Sequence, residues 1–303
     1  MIQPCVQQHG KMPSGGSSEL DDLFESSWRI SSIAEPQDIT QVDKMTNTNY
    51  QFIKFEKMGG LATLTINRPP FNVLDIPTME EINLALDLCL AASDVKLLVI
   101  TGAGEKAFSA GVEVADHTPD KVDKMIEVFH GIFRRLQKLP IPTLAAVNGA
   151  ALGGGMEVAI ACDMIVAAAG AKFGQPEIKL AVFPPIAAVL LPRLVPPARA
   201  MELLLGGEHI LADEALKIGL VNRVFAKETF AADLEAFVDP YLTLSRAALA
   251  SALKAIRAAA GKDFGTALDA AETIYLKELM ATEDAKEGLA AFLEKRKPNW
   301  RNR

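Results

Sequence analysis

From Tyr50 onward, the chain alternates between two spacings of apolar residues. Between Leu61 and Ile66 they fall at every second position, which predicts a strand that ends before Pro69. From Asp75 they recur every three to four positions, which predicts a helix with Pro77 in its first turn, where no N–H is needed. The apolar face of this helix consists of Met79, Ile82, Leu86 and Cys89.

The same alternation continues along the next part of the chain. A strand is predicted at Leu97–Ile100, and Thr118-Pro-Asp120 predicts the start of a second helix. Its apolar face consists of Val122, Met125, Ile126, Phe129, Ile132, Phe133 and Leu136. Thr143–Val147 has the composition of a buried strand. Strands alternating with helices predict an α/β fold with right-handed crossovers.

The two ends of the chain have different patterns. After about residue 240 only helical spacings remain, including 245–260 and 264–281, so we expect an α/β core over 46–240 and a helical C-terminal region over 241–303. Residues 1–45 are rich in Pro, Gly, Gln and Ser, which predicts a disordered extension. Seven acidic and three basic residues do not suit a mitochondrial presequence, and no apolar core of a signal peptide is present. Met45 stands just before the first predicted strand and is an alternative start of translation.

Composition narrows the class of function. No apolar run reaches the ~18–20 residues that a bilayer crossing needs, so we expect a soluble protein. The net charge of −7 comes without a basic stripe, which argues against nucleic acid and favours a small-molecule partner. Cys5, Cys89 and Cys162 are odd in number and far apart, which favours a reducing, cytoplasmic setting. The four histidines lack metal-ligand spacing, so no metal site is expected.

A glycine-rich segment is the first candidate for chemistry. Gly153, Gly154 and Gly155 stand between the predicted buried strand and a helical run, Met156–Ile160. Such glycines allow close backbone approach and leave N–H groups free for an anion, although a plain tight turn would also use them. Glu157 follows at once, where it either serves chemistry or complements the helix dipole.

A second carboxylate and a second small-residue turn extend this candidate. Glu177 lies twenty residues after Glu157 on a turn braced by Gly and Pro, so the two carboxylates can meet only through the fold. Lys106–Val112 forms a turn of small residues after a strand. An oxyanion hole needs two N–H donors from separate segments, and these two turns are candidates for them.

At this point the sequence resembles the enoyl-CoA hydratase/isomerase (crotonase) superfamily over roughly residues 50–300. The matching segments are Asn67–Pro69, Ala107–Gly111, Ala146–Gly149, Gly153–Glu157, Phe173–Glu177, Gly219–Asn222 and Asp284–Gly288. Their order and spacing make the resemblance specific. It implies a crotonase-like (ClpP/crotonase) α/β fold of repeated ββα units with an α-helical C-terminal region, assembled as a homotrimer or a dimer of trimers.

The resemblance also implies an activity and a set of site residues. The backbone N–H groups of Val112 and Gly154 would hold a thioester oxygen, while Glu157 and Glu177 would hold one water and add it across the double bond of an enoyl-CoA. The implied acyl-CoA-binding residues are Ala110, Val112, Gly153, Gly154 and Pro185. No cofactor is expected besides the coenzyme A of the substrate.

Two departures from the family pattern affect this reading. Val182–Ala188 replaces a Gly-rich segment, and Pro185 has no N–H to offer a water. Glu113 stands where Asp is commoner. With Ala110–His117 and Glu127–Phe133, these features resemble the subgroup that hydrates cyclohexa-1,5-dienecarbonyl-CoA in aromatic-acid degradation. His117 and His130 are candidate pocket residues of that subgroup, although histidines at such positions are more often surface or helix-packing residues.

Alternative functions stay open at this level. A double-bond isomerase would use one glutamate as a proton shuttle and consume no water. A catalytically silent CoA-binding or scaffold homologue would use neither glutamate. A dinucleotide site is disfavoured, because Gly153–Gly155 do not form the G-x-G-x-x-G fingerprint.

Overall fold

The structure, a computed structural model, describes residues 50–303, and the predicted extension over 1–45 lies outside the described residues. The strands are β1 (Ile53–Met58), β2 (Leu61–Ile66), β3 (Leu97–Gly102), β4 (Ala107–Ser109), β5 (Thr143–Val147), β6 (Ala150–Leu152), β7 (Met164–Ala168), β8 (Lys172–Gly174), β9 (His209–Leu211) and β10 (Arg223–Phe225). The predicted strands at residues 61–66, 97–100 and 143–147 are confirmed.

The helices are interspersed among the strands up to residue 225, and only helices follow after that residue. They are α1 (Ile76–Ala91), α2 (Val122–Lys138), α3 (Gly154–Ile160), α4 (Pro185–Leu194), α5 (Pro197–Gly206), α6 (Ala212–Lys217), α7 (Phe230–Leu242), α8 (Arg246–Ala259), α9 (Phe264–Lys277) and α10 (Glu283–Leu293). Three 3₁₀ helices span Val114–His117, Pro176–Leu180 and Leu279–Ala281. Helix α1 begins as predicted, with Asp75 accepting from the Thr78 N–H at 3.1 Å.

The strands form two sheets. A six-stranded sheet has the order β1-β2-β3-β5-β7-β10, antiparallel at its β1–β2 edge and parallel elsewhere. A four-stranded sheet has the order β4-β6-β8-β9. Strands β3, β5 and β7 of the large sheet are each followed by a short strand of the small sheet and then by a helix. This arrangement confirms the predicted α/β fold of repeated ββα units.

The central strands of the large sheet are buried on both faces. Along β3, Leu98 and Ile100 pack into the main hydrophobic cluster, whereas Leu97 and Val99 pack into a second cluster on the other face. Strand β5 divides between the same two clusters, and all five of its residues are buried. A central parallel strand must be apolar on both sides, which explains its continuous apolar sequence.

Two predicted helix starts differ from the structure. The start predicted at Thr118–Asp120 is wrong, because α2 begins at Val122 without a side-chain cap. The Thr118 hydroxyl instead donates to the Ala115 carbonyl at 3.4 Å at the end of the preceding 3₁₀ helix, so it does not cap α2. Helix α3 begins at Gly154, two residues before the predicted Met156.

The C-terminal helices are joined to the core through backbone carbonyl groups. Arg246 donates to the carbonyls of Ala92 and Val95 after α1, at 3.1 and 2.8 Å. Arg257 on α8 donates to the carbonyls of residues 137 and 139 at the end of α2. Lys96 donates in the other direction, to the carbonyls of residues 242 and 244. No helix in residues 50–303 is both long and apolar enough to cross a membrane.

Candidate active site

Each of the three glycines at the start of α3 lies close to a different neighbouring group. Gly153 adopts φ 52°, and a Cβ there would lie 2.6 Å from Oε1 of Glu177. A Cβ on Gly154 would lie 2.6 Å from Cγ2 of Val112, and one on Gly155 would collide with the Ser109 carbonyl oxygen. At distances under 3.0 Å a neighbouring atom would have to shift, and this atom belongs to the backbone at Gly155 and to a side chain at Gly153 and Gly154. The glycine run therefore lets the backbone meet a carboxylate, a neighbouring loop and β4 at once.

The turn at Val112 comes close to the same point. A Cβ on Gly154 would lie 3.3 Å from the Val112 nitrogen, and one on Gly111 would lie 3.5 Å from the Gly154 nitrogen. Leu74 donates to the Gly111 carbonyl and accepts from Glu113, so Val112 directs its own N–H away from Leu74. The turn at Val112 thus lies beside Gly154, and the role of the two amides as donors stays a prediction.

Both of these amides are available to a ligand. Gly154 is the first residue of α3, where no carbonyl lies one turn earlier to accept its N–H. Within residues 50–303, neither the Gly154 nor the Val112 N–H donates to a protein acceptor. Helix α3 has only seven residues, all of them buried, so we attribute no separate anion site to its dipole and consider the two N–H groups as single hydrogen-bond donors. An oxyanion hole needs two N–H donors from separate segments, and these two amides remain the candidates for them.

Glu157 is buried and firmly supported. Its side chain is on α3, the residue is 2% exposed, and its Oε1 accepts from the N–H groups of Ile186 and Ala187, each at 2.8 Å. Burial, with a smaller contribution from the charge of Glu177, raises the pKa of Glu157 to about 7 against the lowering effect of the two backbone donors. The carboxyl therefore titrates near neutral pH.

Glu177 reaches the same place from a less buried element. It lies on the 3₁₀ helix Pro176–Leu180, none of whose residues is buried. With its amide oriented so that Nε2 faces Glu177, the fully buried Gln175 donates to Oε1 and Oε2 at 3.2 and 3.1 Å. Burial of the carboxyl raises the pKa of Glu177 to about 7, opposed by its own backbone N–H.

The remaining candidate residues take varied positions. Pro185 is the first residue of α4, so the N–H groups of the next two residues are free to bind Glu157. The Ala110 N–H donates to the Phe71 carbonyl at 2.9 Å. His117 is exposed and its Nδ1 lies 3.1 Å from the Glu113 carbonyl. His130 is partly exposed, and burial, followed by the nearby Arg134, lowers its pKa.

Some functional contacts were not predicted from the sequence. The Ile186 and Ala187 amides had a signal, because two prolines before an apolar run mark a helix start whose first N–H groups are unpaired. Gln175 had none, since its partner follows two residues later on an irregular turn. Phe129 was assigned to the core face of α2, yet its ring also reaches Gly154.

Similarity to known proteins was found at three levels. Residues 56–303 match the sequence model of the enoyl-CoA hydratase/isomerase family. The cyclohexa-1,5-dienecarbonyl-CoA hydratase of Thauera aromatica is 41% identical over 82% of this chain and 95% of its own length. The crotonyl-CoA hydratase of Syntrophomonas wolfei is 40% identical over 83% of this chain and 98% of its own. A crystal structure of an enoyl-CoA hydratase from Bacillus anthracis superposes with a TM-score of 0.80 at 31% identity, covering 84% of this chain and all of that one.

Proposed function

The chain belongs to the enoyl-CoA hydratase/isomerase family, and on that premise we propose that it adds water across the double bond of an enoyl-CoA thioester. One observation carries the proposal. Two carboxyl groups, Glu157 and Glu177, have their pKa values raised to about 7 beside the unpaired amides of Val112 and Gly154. A hydration needs a base, an acid and a place for negative charge, and these four groups can supply all three.

In the proposed reaction the thioester oxygen accepts from the Val112 and Gly154 N–H groups. As the water oxygen bonds to the β-carbon, the electrons of the double bond move toward the carbonyl and leave negative charge on that oxygen. Donors already in place stabilise this charge without reorganisation, which in enzymes is worth about 2.7–4 kcal/mol per donor. Because the donors are main-chain groups, side-chain substitutions elsewhere leave them intact.

The two carboxylates divide the proton transfers. Glu157 accepts two backbone hydrogen bonds, which favour its ionised form, so we assign it as the base that takes a proton from the water. Its Oε1 is engaged by those donors, so Oε2 is the oxygen that meets the water. Glu177 lacks comparable backbone donors and acts as the acid that protonates the α-carbon. One water is consumed, its hydroxyl ending on the β-carbon and a proton on the α-carbon, and the proton taken up by Glu157 returns to Glu177 before the next turnover.

For the acyl group we propose a short straight-chain or a cyclic conjugated enoyl. The two hydratases named above act on one substrate of each kind, and their identities to this chain, 41% and 40%, are nearly equal. Pro184 and Pro185 at the start of α4 shape the same side of the site through Glu157. Initial rates on crotonyl-CoA and cyclohexa-1,5-dienecarbonyl-CoA rank the two classes directly.

The test of the activity is product analysis in H₂¹⁸O. Hydration is expected to yield one product that has gained a single labelled oxygen. An unlabelled product with a shifted double bond would establish the isomerase alternative instead. Binding of the enoyl-CoA without any turnover would support the silent CoA-binding or scaffold alternative.

We further propose that the enzyme is a cytoplasmic homotrimer or dimer of trimers that needs no cofactor besides the coenzyme A of its substrate. Large apolar side chains on the C-terminal helices support subunit contacts by residues 241–303, since Phe264, Phe292 and Leu293 are 81%, 80% and 80% exposed. The four groups of the site supply acid, base and charge stabilisation without an added group. Light scattering of the purified chain measures the number of subunits.

A further inference from the structure

The segment between β2 and α1 holds the turn that contains Val112. The Leu74 N–H donates to the Gly111 carbonyl at 2.9 Å, and the Leu74 carbonyl accepts from the Glu113 N–H at 3.0 Å. Leu74 is thus bound to the residues on both sides of Val112, in a parallel bridge that leaves the Val112 N–H pointing away from it. The direction of that N–H therefore depends on where the backbone of Leu74 lies.

Asn72 fixes the place of this segment relative to β4. The residue is 0% exposed, and its Nδ2 donates to the Ala107 carbonyl at 2.8 Å and to the Ala103 carbonyl at 3.0 Å. Its Oδ1 accepts from the Arg68 N–H at 3.0 Å. Ala103 follows β3 and Ala107 begins β4, so the two N–H groups of the amide bind both ends of the connection between these strands. The backbone of Asn72 has φ 52°, in the left-handed region that asparagine adopts more readily than most residues.

We propose that Asn72 is a positioning residue for the hydration, which acts through the backbone of Leu74 on the Val112 N–H. The inference rests on the proposed function, because it takes that N–H as a donor to the thioester oxygen. A donor stabilises the developing charge only at about 2.7–3.1 Å from the oxygen, and a displacement of about 1 Å can cost a hundredfold in rate. The segment between β2 and α1 belongs to no helix or longer strand. Its place relative to β4 therefore depends on the buried amide of Asn72.

Asn83 on α1 makes a matched set of hydrogen bonds elsewhere in the molecule. It is 8% exposed, and its Nδ2 donates to the carbonyls of Met79 and Val128 at 3.0 and 2.8 Å. Its Oδ1 accepts from Nη1 of Arg135 at 3.1 Å. These bonds join α1 to α2, and none of them involves the turn at Val112. A loss common to both asparagines measures buried hydrogen bonding in general, whereas a loss confined to Asn72 measures the turn.

The experiment combines crotonyl-CoA hydration kinetics with infrared spectra of bound butyryl-CoA that carries ¹³C in its thioester carbonyl. Hydrogen bonds to this carbonyl lower its stretching frequency, so the frequency reports on the donors themselves. Asn72→Gly suits the positive φ but removes all three hydrogen bonds. It is expected to lower kcat by about tenfold or more and to lose much of the frequency shift.

The control is Asn83→Ala, which also removes three buried hydrogen bonds. It is expected to lower Tm by an amount similar to that in Asn72→Gly, while it keeps the wild-type kcat and the full frequency shift. Equal losses of kcat in the two variants, or an unchanged frequency in Asn72→Gly, overturn the inference. If Asn72→Gly does not fold, Asn72→Asp replaces it, because aspartate keeps the volume and the Oδ1 acceptor and removes at least one of the two N–H donors.

The wild-type chain separates this inference from the proposed activity. A chain that lowers the carbonyl frequency of bound butyryl-CoA but hydrates no enoyl-CoA overturns the activity alone, and the frequencies of the two variants then decide the inference. A chain that binds butyryl-CoA without lowering the frequency, or does not bind it, overturns the inference, and product analysis in labelled water then decides the activity.

Discussion

The two carboxylates of the site reach the same pKa on very different supports. Glu157 is on a helix whose seven residues are all buried, and two backbone N–H groups of α4 hold its Oε1. Glu177 is on a 3₁₀ helix with no buried residue, and its support is the side chain of Gln175. Burial raises both pKa values, whereas the hydrogen-bond donors that oppose it differ in kind, main chain for Glu157 and side chain for Glu177. The proposed reaction takes the backbone-supported residue as the base and the side-chain-supported one as the acid.

The largest expected effect comes from removing each carboxylate in turn. Glu157→Gln and Glu177→Gln should each lower kcat by about 10³-fold, the usual contribution of a general base or acid. Binding of butyryl-CoA should stay nearly intact, because its oxygen is held by main-chain donors. Steady-state kinetics and calorimetry on the same preparations check this. Loss of binding in both variants would count against the site.

The pH profile follows from the two raised pKa values. The proposed reaction needs one ionised and one protonated carboxyl, and burial raises both pKa values to about 7. Below pH 7 the base is lost by protonation, and above it the acid is lost by ionisation. We expect a bell-shaped kcat/KM with its maximum near pH 7 and a fall of about tenfold per unit well outside it. A flat profile between pH 5 and 9 would contradict the pairing.

One of the two backbone hydrogen bonds to Glu157 can be removed by a single substitution. Ile186→Pro removes one of its two donors, and proline is tolerated in a first helical turn. Loss of one hydrogen bond to a charged group costs roughly 1.5–3 kcal/mol, which raises the pKa of Glu157 by about 1–2 units. The acid limb should move to higher pH, and the rate at pH 7 should fall about tenfold. Ile186→Ala, which keeps the N–H, is the control and should leave the limb in place.

The side-chain support of Glu177 is tested by Gln175→Met, which keeps the volume and removes the amide donor. Without that donor the neutral carboxyl is favoured, so the pKa of Glu177 should rise and the basic limb should move to higher pH by less than about one unit. The rate at pH 7 should fall several-fold through lost orientation. Movement of the acid limb instead would reverse the two assigned roles.

The smallest expected effect is on stability. A carboxyl whose folded pKa lies above its unfolded value binds extra protons on folding, so wild-type stability falls as pH rises from about 4.5 through 7. Glu177→Gln abolishes the part of this loss that Glu177 contributes and leaves the part from Glu157. Its Tm should exceed that of the wild type by a few degrees at pH 8 and match it at pH 4. Calorimetric scans at the two pH values measure both differences, and an equal offset at both would show a cause other than titration.

Local sequence patterns predicted much of the fold because the determinants were local. Pro77 and the apolar face that follows it define α1, and the continuous apolar run 143–147 defines a doubly buried strand. The start of α2 was misplaced because Thr118 had two possible hydrogen-bond partners, and the sequence does not show which one it takes.

The candidate site divides in the same way. Glu157 and Glu177 could be proposed from motif order, and that assignment stays a prediction to be tested by substitution. The donors on α4 and the contact of Phe129 with Gly154 depend on packing between elements 25 or more residues apart. No spacing rule along a chain encodes which distant helix end faces a given carboxylate.

The joint between the core and the C-terminal helices has a consequence for sequence divergence. Arg246, Arg257 and Lys96 all recognise peptide carbonyls, which every amino acid possesses. These hydrogen bonds therefore place no requirement on the side chains at positions 92, 95, 137 and 139, of which Val95 and Leu139 are constrained only by their full burial in the core. The residues that supply the carbonyl groups can therefore be substituted without loss of these hydrogen bonds, whereas substitution of Arg246, Arg257 or Lys96 removes them.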